Sequence, residues 1–248
     1  ANILTPLDMI TTAGAVGDVY GALQTLPGTT PNGESGKLFV KGGDSEESQT
    51  YIDGSLVYAP YSSSAPNMSV RGRFNPFMFK GTIFSTGGYS AEYGQALSSV
   101  LLLNTNDMPA EDQLDLSFMT VGLGVAGTRL WQTGAVTASL SYNNLAPYMW
   151  VVPQNYNWVE YPSNTYSSYT SSQYTITQED LNYAGKYNDY NLKNGNYFVN
   201  TSWKSNLGDK WTIAVAASFT NNTDDIAYDT LNFNKLLRGT HIKNVMSY

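Results

Sequence analysis

Apolar and polar positions alternate with period two through the second half of the chain. Leu114, Leu116 and Phe118 alternate with Asp115, Ser117 and Met119; Val136, Ala138, Leu140 and Tyr142 alternate with Thr137, Ser139 and Ser141. Tyr197, Val199, Thr201 and Trp203 alternate with Phe198, Asn200, Ser202 and Lys204; Trp211, Ile213, Val215, Ala217 and Phe219 alternate with Thr212, Ala214, Ala216 and Ser218. Period two predicts strands with one apolar and one small or polar face. With a brief strand at Thr128–Trp131, this half is expected to hold about five strands. Gln132–Gly134 and Leu207–Asp209 read as tight turns, Gly122–Gly127 as a short loop, and residues 144–195 as one long loop.

The first half follows another rule. Val16, Val19, Tyr20, Leu23 and Leu26 recur at helical spacing, and Pro27-Gly28 stops that helix. Strands are expected at Lys37–Lys41, Gln49–Ile52, Ser55–Tyr58, Ile83–Ser85 and Val100–Asn104, with a tight hairpin at Asp53-Gly54. Pro60, Pro66 and Pro76, set among serines and asparagines, make residues 59–76 a long loop. Val100-Leu101-Leu102-Leu103 is apolar without alternation, as in a strand buried on both faces.

Composition narrows the class. Charged residues are 13% of the chain, about half the usual share of a soluble domain, and there are 19 tyrosines. Such a surface fits an outer-membrane β protein or a secreted adhesive one. The net charge of −7 and the lack of a Lys/Arg cluster argue against nucleic-acid binding. There is no cysteine, which excludes disulfides and thiolate metal sites. No apolar run approaches the ~18 residues of a membrane helix. Trp211 and Phe219, on one strand face, stand about 26 Å apart, near the height of a lipid-facing band with aromatic girdles. No signal peptide stands at Ala1, as expected of a mature exported chain or of a piece cut from a longer one.

Gly87-Gly88-Tyr89-Ser90-Ala91-Glu92-Tyr93-Gly94-Gln95-Ala96-Leu97-Ser98-Ser99 leads into the apolar run and resembles the closing motif of the plug domain of TonB-dependent outer-membrane receptors. Two further segments resemble that domain, in the family's order: Ala22-Leu23-Gln24-Thr25-Leu26-Pro27-Gly28, then Leu38-Phe39-Val40-Lys41-Gly42-Gly43 with Gln49-Thr50-Tyr51-Ile52-Asp53-Gly54. Lys41 stands where the family has arginine, a point charge in place of a bidentate fork. The resemblance spans roughly residues 7 to 106.

The resemblance implies an α+β plug domain, a small mixed sheet with short helices, over residues 1–110. Residues 111–248 are then the first antiparallel strands of a transmembrane β-barrel, with a long extracellular loop near 144–195. About 22 strands close such a barrel, so the chain reads as a fragment of a plugged receptor. The tight turns fall on the periplasmic side, and the long loop and Asn221 onward outside. The implied location is the outer membrane of a Gram-negative bacterium. The implied partners are outer-membrane lipid, a TonB-type energy-transducing protein and, as in some relatives, a surface lipoprotein that delivers glycans or peptides. No cofactor is implied.

Arg71 and Arg73, flanking Gly72, are expected to pair with acids on the barrel's inner wall such as Asp115, a contact whose release would serve gating. Tyr148, Trp150, Tyr156, Trp158 and Tyr161 offer aromatic faces to a sugar or peptide ligand; the bland alternative is a tyrosine-rich loop packed on itself. Asp44, Glu46 and Glu47, and Asp224, Asp225 and Asp229, could supply oxygens to calcium, but neither fits an EF-hand and solvated carboxylates are the default, so no metal is expected. His241, the single histidine, reads as a surface or packed residue, and no acid, base and nucleophile set assembles, so an enzyme is not expected. A secreted or surface β-rich adhesion module with a tyrosine-rich binding loop explains the composition equally well, though not the motifs.

Overall fold

The computed structural model describes residues 2–15, 17–31, 35–63, 69–105, 111–119, 122–131, 134–144, 151, 157–166, 169–179, 187–207, 210–228 and 231–248. The protein is rich in β-structure, with few short helices. Its N-terminal unit contains β1 (Asn2–Leu4), α1 (Pro6–Thr11), α2 (Val19–Leu23), β2 (Thr29–Thr30), β3 (Phe39–Val40), β4 (Ser48–Ile52), β5 (Ser55–Leu56), β6 (Phe79–Ser85) and β7 (Ser99–Thr105). A five-stranded sheet runs β1-β6-β7-β4-β5, with β4 and β7 parallel and the other pairs antiparallel.

Local chemistry sets these elements. Thr5 caps α1 by accepting from the Asp8 N–H, Asp8 returns the bond to the Thr5 N–H at 2.8 Å, and Pro6 occupies the first turn. This helix and β1 escape the apolar-spacing reading. Asp18 caps α2 through the Gly21 N–H. The helix stops at Leu23, short of the expected Leu26, where the Thr29 hydroxyl takes the Leu26 carbonyl at 2.6 Å. Asp53 (φ 48°) and Gly54 (φ 81°) are consecutive left-handed residues, the backbone a two-residue hairpin needs. The non-alternating β7 run is buried on both faces: Val100 packs with Tyr51 and Leu56, while Leu101 and Leu103 join Met9, Leu23, Val40 and Phe84 on the other side.

The second sheet is an antiparallel meander of β8 (Gln113–Met119), β9 (Gly122–Trp131), β10 (Gly134–Asn144), β11 (Asn157–Tyr166), β12 (Tyr169–Glu179), β13 (Tyr187–Leu207), β14 (Trp211–Tyr228) and β15 (Leu231–Ser247), each strand beside the next. Eight strands replace the expected five. The stretch 144–195 is not one loop: β11 and β12 pair from Asn157↔Thr177 to Tyr166↔Thr170, and β12 pairs with β13 from Glu179↔Tyr187 to Tyr169↔Tyr197. The sequence of that stretch shows no apolar–polar alternation, yet its Tyr and Thr favour extended backbone. Gly122–Gly127 is likewise strand, with Leu123 opposite Phe118 and Val125 opposite Leu116. The segment after Asn221 continues β14 and turns back as β15. Leu207 pairs with Trp211, and Trp131 with Gly134, so the expected tight turns lie where the strands reverse; residues 132–133 and 208–209 lie outside those described.

The faces of β13–β15 are reversed relative to a soluble sheet. Tyr197, Val199, Trp203, Trp211, Phe219, Ile242 and Met246 are exposed, with Ile242 at 74% and Trp203 at 56%. The opposite face carries Asn194, Asn196, Ser218, Thr220, Asn222 and Asp224, all buried. A one-sided sheet in water hides its apolar face and shows its polar one.

Candidate functional site

The polar face of β13–β15 meets the N-terminal unit in three places. In the first, Asn200, Ser218 and His241 form one cross-strand row, paired Asn200↔Ser218 and Ser218↔His241. All three reach backbone at the β4–β5 hairpin. Asn200 Nδ2 donates to the Ile52 carbonyl at 3.3 Å, Ser218 Oγ donates to the Leu56 carbonyl at 2.7 Å, and His241 Nδ1 accepts from the Leu56 N–H at 3.2 Å. As β5 is the last strand of its sheet, these side chains occupy an edge that backbone would otherwise need to pair.

In the second place, the inward residues of β15 hold the closing turn. Lys243 Nζ lies 3.0 Å from Glu92 Oε2, 4.2 Å from the Tyr93 ring centroid and 5.9 Å from that of Tyr51. The turn is itself stapled. The Tyr51 hydroxyl donates to the Gly94 carbonyl and Tyr89 to the Ala96 carbonyl, both at 2.9 Å, and the Leu97 and Ser98 amides donate to the Glu47 carbonyl. Burial, then the Glu92 charge, pushes the Tyr93 phenol up to about 12, so Tyr93 meets Lys243 as a neutral ring. Gly239, two inward positions before Lys243, admits the Tyr58 ring: a Cβ there would stand 2.6 Å from it.

In the third place, Arg73 is buried at 7% exposure. It donates to the Ala59 carbonyl at 3.1 Å, to Asn194 Oδ1 at 3.2 Å and to Asn222 Oδ1 at 2.7 Å. Asn194 also donates to Asp224, which accepts from Ser63 of the N-terminal unit. The expected partner Asp115 is not on this surface: it is exposed on β8, five strands away from β13 along the sheet. The groups of β13 and β14 that meet Arg73 are amides, with a carboxylate behind them. Arg71 is exposed; its N–H donates to Ser62 Oγ at 3.1 Å, and its charge acts on Asp18.

Tyr148, Trp150 and Tyr156 lie outside the described residues, whereas Trp158 and Tyr161 fall on β11. Asp44 caps a short 3-10 turn, Ser45–Glu47, and Glu47 accepts from Ser98 at 2.6 Å, so these acids have local structural work. Asp225 pairs with Asn234, and Asp229 lies outside the described residues. Among the described residues no three His, Asp or Glu side chains converge as for a metal ion. No helix among them is long and apolar enough to cross a membrane. Lys41 (φ 51°) donates to the Thr86 carbonyl at 2.7 Å, a single bond suited to its point charge.

Sequence reasoning missed Lys243, Asn194, Asn200, Ser218 and Asn222. Their signal was the polar half of the alternation: every second residue from Ser218 to Asp224 is Ser, Thr, Asn or Asp. No family model matches the chain, and no curated protein matches it.

Proposed function

We propose that this chain belongs to an outer-membrane receptor of the TonB-dependent kind, in which the N-terminal unit plugs the lumen and β8–β15 form part of a transmembrane barrel wall. The observation that carries the reading is the inversion of β13–β15. An apolar face left to the surroundings and a polar face sealed against a folded unit suit a sheet with lipid outside and a plug inside. Trp211 and Phe219 bracket the apolar band, and Trp211 packs tilted against Tyr248 with ring centroids 4.8 Å apart, as neighbours in a girdle would. Above Phe219 the outward positions turn polar, with Asn221 bonded to Arg238 at 2.9 Å.

The closing-turn motif and the Asp-Gly hairpin, two of the segments that carry the family resemblance, are the parts that contact β13–β15. In the proposed cycle a ligand is captured from outside, aided by Tyr148, Trp150, Tyr156, Trp158 and Tyr161. An energy-transducing partner of the TonB type then shifts the plug, and its seam with β13–β15 is the surface that must slide. Polar side chains bonding to backbone suit this, because water can replace each bond at modest net cost.

The test is fractionation of cells making the native protein. Recovery with outer membranes, resistant to alkaline carbonate, supports the reading; release as a monodisperse soluble protein without detergent overturns it in favour of a secreted β-rich binding module. Arg73→Ala in the native receptor is expected to raise permeability to large antibiotics, and unchanged permeability would count against the plug role.

A further inference from the structure

His241 accepts a hydrogen bond from a backbone amide, and that fixes its protonation state. Nδ1 can take the Leu56 N–H only while it carries no proton, so the docked ring is the neutral tautomer with its proton on Nε2. An imidazolium has two donors and no acceptor. Protonation therefore turns the 3.2 Å contact into two donors facing each other, one of them the amide of an edge strand.

The surroundings offer the cation little. On the same strand and face, Lys243 stands two residues away. Tyr51 of β4 presents its ring edge-on at 6.2 Å between centroids. Tyr58, beyond β5, donates its hydroxyl to the Thr240 carbonyl at 3.4 Å. From the closing turn come Glu92 and Tyr93, both engaged with Lys243. Ser218 of β14, opposite His241, is neutral and committed to the Leu56 carbonyl. The carboxylate of this group thus already has a cation at 3.0 Å when a second positive charge would arrive.

We propose that His241 is a proton-operated latch, holding the β4–β5 hairpin edge against the wall when neutral and releasing it when protonated. The docked state takes only the neutral ring, so the contact is intact while the ring is neutral and is lost in acid as the ring gains its proton. The proposal rests on the plug reading only for its consequence, an N-terminal unit that loosens in mild acid; the latch itself rests on the contact geometry.

Amide hydrogen exchange of the full chain in detergent micelles tests it, because the Leu56 N–H is the atom concerned. Expressed as a protection factor, which removes the intrinsic pH dependence, Leu56 protection should fall roughly tenfold or more between about pH 7.5 and about pH 5. The Asp53 amide, bonded to the Leu103 carbonyl at 3.0 Å within the sheet, should hold its protection. His241→Asn keeps an acceptor near the Nδ1 position and cannot charge, so it should stay protected at both values. Glu92→Gln should leave the acid loss in place. Constant Leu56 protection in the wild type would overturn the latch, as would an equal acid loss in His241→Asn. The wild-type profile stands alone if the variant fails to fold. A latch that fails while the protein still fractionates with outer membranes leaves the receptor reading intact, so the two failures are distinguishable.

Discussion

Lys243 on β15 and Glu92 in the closing turn form an ion pair at 3.0 Å, with the lysine side chain 12% exposed and the glutamate 35%. The Tyr93 ring, 4.2 Å from the ammonium, shields one side of it. Because the glutamate is partly solvated, the pair should contribute only about 1 kcal/mol. A double-mutant cycle of Lys243→Met and Glu92→Gln, read by thermal unfolding in detergent, should give a coupling of that size. Additive single effects would show that the pair is incidental.

Arg73 should be far less replaceable. Its guanidinium is buried and bonds to Ala59, Asn194 and Asn222, so truncation takes a charged donor from the Ala59 carbonyl and from Asn194 Oδ1, while Asn222 Oδ1 keeps the Asn194 and Asn196 amides. Arg73→Ala is expected to cost about 3 kcal/mol, and Arg73→Lys to recover only part of it, since an ammonium cannot span the same fork. Urea unfolding midpoints test the order; a fully restored lysine variant would contradict it.

Asp53 joins a turn to the end of β7. Its carboxylate accepts from the Thr105 amide at 2.9 Å and the Thr105 hydroxyl at 2.7 Å, while its backbone holds φ 48°. Asp53→Ala forfeits both bonds and must take a left-handed φ, for an expected loss of about 2 kcal/mol; Asp53→Asn tolerates that φ and keeps one acceptor, for less than about 1 kcal/mol. Equal losses in chemical unfolding would mean that the left-handed φ and the retained acceptor contribute nothing, and that the loss comes from the bond both variants forfeit.

Asp18 predicts an opposite pH trend to that of His241. Burial, the largest cause, pushes its carboxyl above the usual value of 3.8, against the Gly21, Gly72 and Tyr20 amides and the Arg71 charge, which pull it down. A carboxyl that binds its proton more tightly in the folded state contributes stability that is present below 3.8 and lost as pH rises through the raised value. Asp18→Asn removes the buried charge but has one oxygen for two amides, since the Gly21 N–H bonds Oδ2 and the Gly72 N–H bonds Oδ1. Its melting temperature, taken relative to wild type at the same pH, should therefore rise from acid to neutral pH, because only the wild type loses the contribution of the protonated carboxyl. A difference that stays constant with pH would show that folding does not raise this carboxyl.

Much of the fold was legible where one face differs from the other. Trp211 to Phe219 announced β14 because aromatic and small residues alternate there, and the Asp53-Gly54 hairpin was legible because few pairs take two left-handed residues in turn. Alternation failed elsewhere: Tyr169–Glu179 is polar at nearly every position of its sequence, so a strand reads like a loop. The Thr5-Pro6-Leu7-Asp8 cap of α1 was readable as a capping box, but its helix is too short for apolar spacing to register. The site was the least legible part. Arg73 was singled out, yet its partners Asn194 and Asn222 are two amides among many, and only the β13–β14 register brings them together. An expected acid–base pairing pointed to Asp115 because charge was the only signal that the sequence offered.

The central claim is that the apolar face of β13–β15 contacts lipid. The chain has no cysteine, so single cysteines along β14 can carry spin labels without background. In lipid vesicles, labels at Ile213, Val215, Ala217 and Phe219 should be reached by dissolved oxygen and shielded from a water-soluble nickel complex, with access reversing at Asn221. Labels at Ala216, Ser218 and Thr220 should be shielded from both. Free access of the nickel complex to Val215 and Ala217 would place that face in water and contradict the account.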